Sequence, residues 1–225
     1  HPIVQLASWT FVFSYCLQTP MPPGEATENY TLFLLCGYLP WMLFQETVQR
    51  SANSILEHSN LITKTLFPSE LLPISVFFSS VLNHLLAVAL AVTAVALWDG
   101  HFYWTLLFLP LYTGFLGVLA VGIGWVFASL QVYLRDTAQG VIVLLTLWFW
   151  ATPIFISEAQ VPEGVRFILR ANPLSLFVKA YRARLLSTDL PNLHELALIA
   201  CWSVGAFFVG GMFFRHLKRG FADVL

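Results

Sequence analysis

Two sets of side chains recur at helical spacing near the start of the chain. Gln5, Trp9 and Phe13 stand four apart, and Tyr38, Trp41, Gln45 and Gln49 follow at three- and four-residue intervals, so each set shares one helix face. Neither set contains a nucleophile, a base or a metal ligand. Aromatic faces and amides instead suit weak, repeated contact with a hydroxyl-rich molecule. An unpaired amide in lipid costs a few kcal/mol, so these Gln residues call either for a water-filled passage or for pairing between helices. In the second alternative Tyr38 and Trp41 form an interfacial belt. Glu46 and Arg50, four apart on the same helix, can pair along it, either as a solvated helix end or, with Gln45 and Gln49, as the lining of a vestibule.

Other chemistry finds little support. No Gly-rich loop leads into Lys and Ser or Thr, so the chain has no nucleotide-phosphate cradle. Gly117, Gly122 and Gly124 lie in an apolar run without a strand before them; Ala120, Gly124 and Ala128 repeat every four residues, as do Ala206 and Gly210. That spacing is the signature of close helix packing. Cys16, Cys36 and Cys201 sit in apolar runs with no short Cys or His spacing, which suggests neither a metal site nor a disulfide framework. Asn83 and His84, with Ser79 and Ser80 nearby, interrupt an apolar run. They read as a packing contact or a proton relay, and no carboxylate at mid-span stands ready to partner a relay.

The elements that must position these residues are membrane helices. Of 225 residues, 58% are hydrophobic and only 10% charged, and the net charge of −1 argues against a nucleic-acid partner. A span needs about 20 predominantly apolar residues. Six runs qualify: about 2–19, 30–49, 70–98, 102–130, 138–156 and 195–214. Asp99-Gly100-His101 permits only a tight turn between the third and fourth. Arg50, Lys64, Arg135, Arg215, Lys218 and Arg219 would then lie inside, while the short outer loops hold no Lys or Arg. The segment 157–194 departs from that charge pattern. Its two amphipathic stretches, 165–171 and 174–187, are broken at Asn172-Pro173 and too short to span, so they are expected as a re-entrant hairpin on the outer side.

Glu57 to Glu70, EHSNLITKTLFPSE, is the polar interruption between the second and third runs. A short amphipathic helix closed by Phe67-Pro68, with Ser69 placed to cap the next helix, would lie along a membrane face. Asn60, Leu61, Ile62, Lys64, Phe67, Pro68, Glu70 and Pro73 resemble the cytoplasmic coupling region of ABC-transporter permeases that export bacterial surface polysaccharides, of the O-antigen and teichoic-acid type. The likeness continues through Asn172-Pro173-Leu174, Ala180-Tyr181-Arg182 and the ending Phe214 to Leu225.

The resemblance implies an all-α ABC type-2 exporter permease forming a single transmembrane domain over 1–225. It further implies a homodimer in the bacterial inner membrane that binds two copies of an ATP-hydrolysing subunit and moves a lipid-linked polysaccharide among membrane lipids. ATP and Mg would sit on the partner subunit, with no cofactor and no catalysis on this chain. Asn60, Leu61, Ile62, Lys64 and Phe67 would couple to the ATPase, with Leu61, Ile62 and Phe67 as apolar anchors. Asn172, Pro173, Tyr181 and Arg182 would form an outer gate. Such permeases carry a basic amphipathic helix before the first span; its absence here reads as truncation. The rival readings are an exporter of another lipid or a drug, a passive channel, and a membrane-embedded transferase, which would need a constellation of carboxylates and His that is not evident.

Overall fold

The computed structural model describes residues 8–16, 21, 25, 27–64, 67–100, 103–157 and 160–221. Gln5 and half of the first expected span fall outside them, as do the side chains of Phe13 and Lys64; a π-helical turn, Phe11–Cys16, lies within that span. Eight α-helices follow among the described residues: α1 Tyr30–Glu57, α2 Ser59–Lys64, α3 Leu71–Asp99, α4 Leu109–Tyr133, α5 Thr137–Trp150, α6 Glu163–Ala171, α7 Pro173–Leu186 and α8 Leu193–Lys218. A 3₁₀ turn, Trp104–Phe108, leads into α4, and Gly100 closes α3 with φ of 69°, a left-handed conformation that costs a glycine little.

α1 is the axis of the bundle. Leu32, Leu34, Cys36, Phe44, Val48, Ala52 and Ile55 are fully buried along it, against α3, α4, α5 and α7. It starts where the Asn29 side chain accepts from Thr31 N at 2.9 Å, an N-cap that satisfies one orphan amide. Three helical segments are long and apolar enough to cross a membrane, Leu71–Trp98, Trp104–Tyr133 and Leu193–Lys218, matching the third, fourth and sixth runs. α1 has the length, but its second half is polar; Thr47, Ser51 and Ser54 are buried against neighbouring helices, while Arg50 and Glu57 are exposed.

The fifth run is a correction. A helix over 138–156 was expected, yet α5 stops at Trp150, about 21 Å long against a hydrocarbon layer of about 30 Å. Pro153 has no amide to continue the ladder. The chain then proceeds in turns to Ser157, and side chains from elsewhere take up its carbonyls. Tyr30 Oη donates to Phe155 O at 2.9 Å, Arg182 Nη1 to Pro153 O at 3.0 Å, and Asn172 Nδ2 to Ala151 O at 3.3 Å. Irregular backbone at membrane depth survives only when enclosed this way.

α6 and α7 appear within two residues of the expected bounds. Asn172 makes the break: its Oδ1 accepts from Leu174 N at 3.0 Å and from Trp148 Nε1 at 2.9 Å, while Nδ2 also donates to Thr152 Oγ1 at 3.0 Å. α7 is core rather than surface, with Leu174, Phe177, Val178, Tyr181 and Leu185 all buried. α8 lies along α4. A Cβ on Gly210 would overlap the Gly122 carbonyl, and one on Gly122 would come within 2.5 Å of Ala206 O, so the small-residue spacing marks true backbone contact.

Candidate functional site: an aromatic cleft between two polar clusters

Between α1 and α5 lies a cavity of 220 Å³ walled by Trp9, Trp41, Gln45, Leu145, Thr146, Phe149 and Trp150. The Trp9 ring stacks on Phe149 with centroids 5.1 Å apart and meets Tyr38 edge-on at 5.0 Å. Such pairs favour offset and edge-to-face geometry and hold the wall rigid. Trp41 Nε1 donates to Gln45 Oε1 at 2.6 Å, fixing the amide at the cavity edge. The structure thus brings together Trp9, Trp41 and Gln45 from the two sequence stripes. Tyr38 backs them from the core, and Gln49 lies half-buried further along α1, outside the cavity wall.

Thr146, Phe149 and Trp150 were missed. They sit in an apolar run read only as a span, and their one signal was the density of rings in Trp148-Phe149-Trp150. Chemically, the cleft offers ring faces, an amide and a hydroxyl.

Towards the elbow between α2 and α3, Glu46 and Arg50 form the expected pair at 3.0 Å. It extends across to α3: Asn83 Nδ2 donates to Glu46 Oε1 at 3.1 Å, and Arg50 donates to Ser79 Oγ at 3.3 Å and Ser80 Oγ at 3.4 Å. This is a cross-helix network, more than a helix end wetted by solvent.

His84, next along α3, belongs to a different set. Its Nε2 lies 3.1 Å from Tyr181 Oη, which lies 2.7 Å from Thr113 Oγ1, and Thr113 donates to Leu109 O at 2.9 Å. Thr113 has one proton, so Tyr181 must donate to it and His84 Nε2 must carry a proton to donate to Tyr181. His84 Nδ1 is then a bare, buried acceptor with no partner. The set is a packing contact joining α3, α4 and α7.

At the elbow, Ile62 and Phe67 turn inward, against a cluster of Ile55, Leu72, Trp125, Val132, Phe214 and Phe221. The two residues expected as anchors on the ATPase are thus half-buried against the chain's own bundle; among the described side chains of this short helix Asn60 and Leu61 are exposed, Leu61 at 42%. The apolar side of an isolated amphipathic helix prefers its own bundle when a cluster is in reach. Ser69 does not cap α3, since Glu70 occupies that position and the buried Ser69 hydroxyl has no partner. Glu70 instead accepts from Lys218 Nζ through both carboxylate oxygens at 2.8 Å, and its carbonyl accepts from Trp125 Nε1 at 3.0 Å. Partial burial pushes the Glu70 carboxyl up, but the Lys218 hydrogen bonds and the charges of Lys218 and Arg215 outweigh it, so its pKa falls below the usual carboxylate range.

At the opposite end, Arg182 ties three strands of backbone together. Nε donates to Phe33 O at 3.1 Å and Nη2 to Ile154 O at 2.6 Å, besides Pro153, and the guanidinium carbon lies 3.5 Å from the Phe33 ring centroid. Gly37 leaves room for it: a Cβ there would come within 2.5 Å of Nη2. Of the four residues expected as a gate, Asn172 and Arg182 fasten α7 to the end of α5 and to α1, Pro173 opens α7, and Tyr181 faces α3 and α4 instead.

A helical bundle with, among the described residues, three segments long and apolar enough to cross a membrane has the architecture of a multi-pass membrane protein. Residues 1–186 match the family model for the ABC-2 type transporter, and the chain belongs to that family. Among curated relatives, it is 25% identical over 225 residues to the O-antigen export system permease protein RfbA of Myxococcus xanthus, covering 99% of this chain and 84% of that protein. Two proteins of the same name from Klebsiella pneumoniae are also 25% identical, over 226 and 229 residues, each covering 100% of this chain and 85% of the relative.

Proposed function

We propose that this chain is the transmembrane subunit of an ATP-driven exporter that passes a lipid-linked polysaccharide of the O-antigen kind across the bacterial inner membrane. The observation that supports it is the cleft between α1 and α5, where Trp9, Trp41, Phe149 and Trp150 stand beside Gln45 and Thr146. Sugar rings stack on aromatic faces and their hydroxyls exchange hydrogen bonds with amides, each contact weak enough to release the chain as it moves. Two copies would place two such clefts about a shared passage, with Glu46 and Arg50 nearer the cytoplasm.

In this reading the spans are the segment before residue 20, α1, α3, α4, α5 and α8, and α6 with α7 forms the re-entrant outer hairpin. Each protomer takes one ATP-binding subunit, which holds ATP and Mg and performs the hydrolysis. The exposed Asn60 and Leu61, with Lys64 of the same helix, dock on it. The test is the Trp9→Ala, Trp41→Ala double variant. Export should fall while assembly with the ATPase and basal ATP hydrolysis persist; undiminished export of the glycan would place the conduction path elsewhere.

A further inference from the structure

Tyr181 stands where three helices meet. Its hydroxyl, fully buried on α7, accepts from His84 of α3 and donates to Thr113 of α4, the direction of both bonds being set by the proton that Thr113 gives to Leu109 O. The other ends of α3 and α4 meet at the elbow. α3 begins directly after Glu70, and Trp125 of α4 donates to the Glu70 carbonyl at 3.0 Å, while Lys218 adds the end of α8 to the same residue. From Trp125 to Thr113 the chain is one uninterrupted helix, as it is from Leu71 to His84. Two rods therefore start from one fixed point beside α2 and end on the two sides of one hydroxyl.

The rest of α7 is held differently. Asn172 bonds it to the turns after α5, Arg182 to those turns and to Phe33, at the end of α1 far from the elbow, and Thr105 of the 3₁₀ turn before α4 donates to Arg184 O, so these bonds hold α7 by backbone carbonyls and turns. Among the described residues, the Tyr181 hydroxyl is the side-chain hydrogen-bond link from α7 to α3 and α4 together.

We propose that Tyr181 is a positioning residue that makes the α6–α7 hairpin follow the docking elbow, by locking α7 to α3 and α4. The proposal rests on the exporter reading above and adds to it the group through which motion at the ATPase side reaches the hairpin. A phenylalanine keeps the ring and its packing and removes both bonds, leaving the His84 donor and the Thr113 hydroxyl to the interior.

The experiment uses the complete complex with its ATPase in proteoliposomes, with the exposed Cys16 and Cys201 replaced by Ser. Spin labels are placed on Glu57→Cys, exposed at the end of α1 beside the elbow, or Phe167→Cys on α6, and distances between the two copies are read with and without ATP. With Tyr181 present, ATP should shift both distances. In Tyr181→Phe the Glu57 distance should still shift, the Phe167 distance should not, and export should fall roughly tenfold, the scale of two lost hydrogen bonds, while ATP hydrolysis continues. Thr113→Val should reproduce the uncoupling and Thr113→Ser, which retains a hydroxyl, should restore it; a merely structural role would move melting temperature without separating the two labels. A Phe167 shift that persists in Tyr181→Phe overturns the proposal. Absence of any ATP-dependent shift at Glu57 in the parent would overturn the exporter reading itself, and the proposal with it.

Discussion

Lys218 Nζ lies 2.8 Å from both carboxylate oxygens of Glu70, 148 residues away, and so joins the last turn of α8 to the elbow that precedes α3. The bond has a definite pH signature. Because the folded-state pKa of Glu70 is depressed, its stabilisation is complete above the ordinary carboxylate pKa of 4.5 and is lost as pH falls through the lower folded value. Melting temperatures of the parent and Glu70→Gln should differ by a constant amount at neutral pH and converge only as the pH falls through the lowered folded value. A partly exposed pair is worth only about 0.2–1 kcal/mol, so the gap should be small. A gap that stays open at acid pH would mean that the carboxylate charge is not its source.

The inward turn of α2 separates two kinds of elbow variant. Phe67→Ala should cost the permease about 1–2 kcal/mol in its own stability, because a half-buried ring leaves the cluster around Trp125 and Phe214. Leu61→Asp should leave the melting temperature unchanged yet reduce co-purification with the ATPase. Melts and pull-downs on the same preparations decide it; the reverse pattern would return Phe67 to the docking face.

Arg182 donates to Pro153 O and Ile154 O at the end of a broken span and to Phe33 O of α1. Arg182→Met should destabilise the protein by about 3–5 kcal/mol. Lysine should not rescue it, since an ammonium cannot present the planar fork that reaches Phe33, Pro153 and Ile154 at once. Detergent melts of Arg182→Met and Arg182→Lys would check this, and full rescue by lysine would show that charge alone is needed.

Two glycines on α8 should behave oppositely. Gly210→Ala forces α8 away from α4 at Gly122 and should lower the melting temperature, whereas Gly205→Ala meets nothing within 4 Å and should be neutral or mildly stabilising through higher helix propensity. Equal effects would deny the backbone contact.

Much of this architecture is written locally in the chain. The runs that became α3, α4 and α8 are apolar over more than a full membrane thickness, which leaves a soluble fold no means of burying them. The four-residue spacing of Glu46 and Arg50, the break at Asn172-Pro173 and the small residues at Ala206 and Gly210 follow from helix periodicity alone, which decides what shares a face. It cannot decide what that face meets. Trp9 and Trp41 were visible as stripes, but their partners Phe149 and Trp150 come from α5, over 100 residues on. The early end of α5 depends on Arg182, 28 residues from Ile154, and the inward turn of Ile62 on a cluster that includes Phe214. Local spacing is cheap to satisfy in an isolated helix. Enclosing bare carbonyls, a buried hydroxyl or an apolar ring requires groups from distant segments, and only the packed chain brings them within reach.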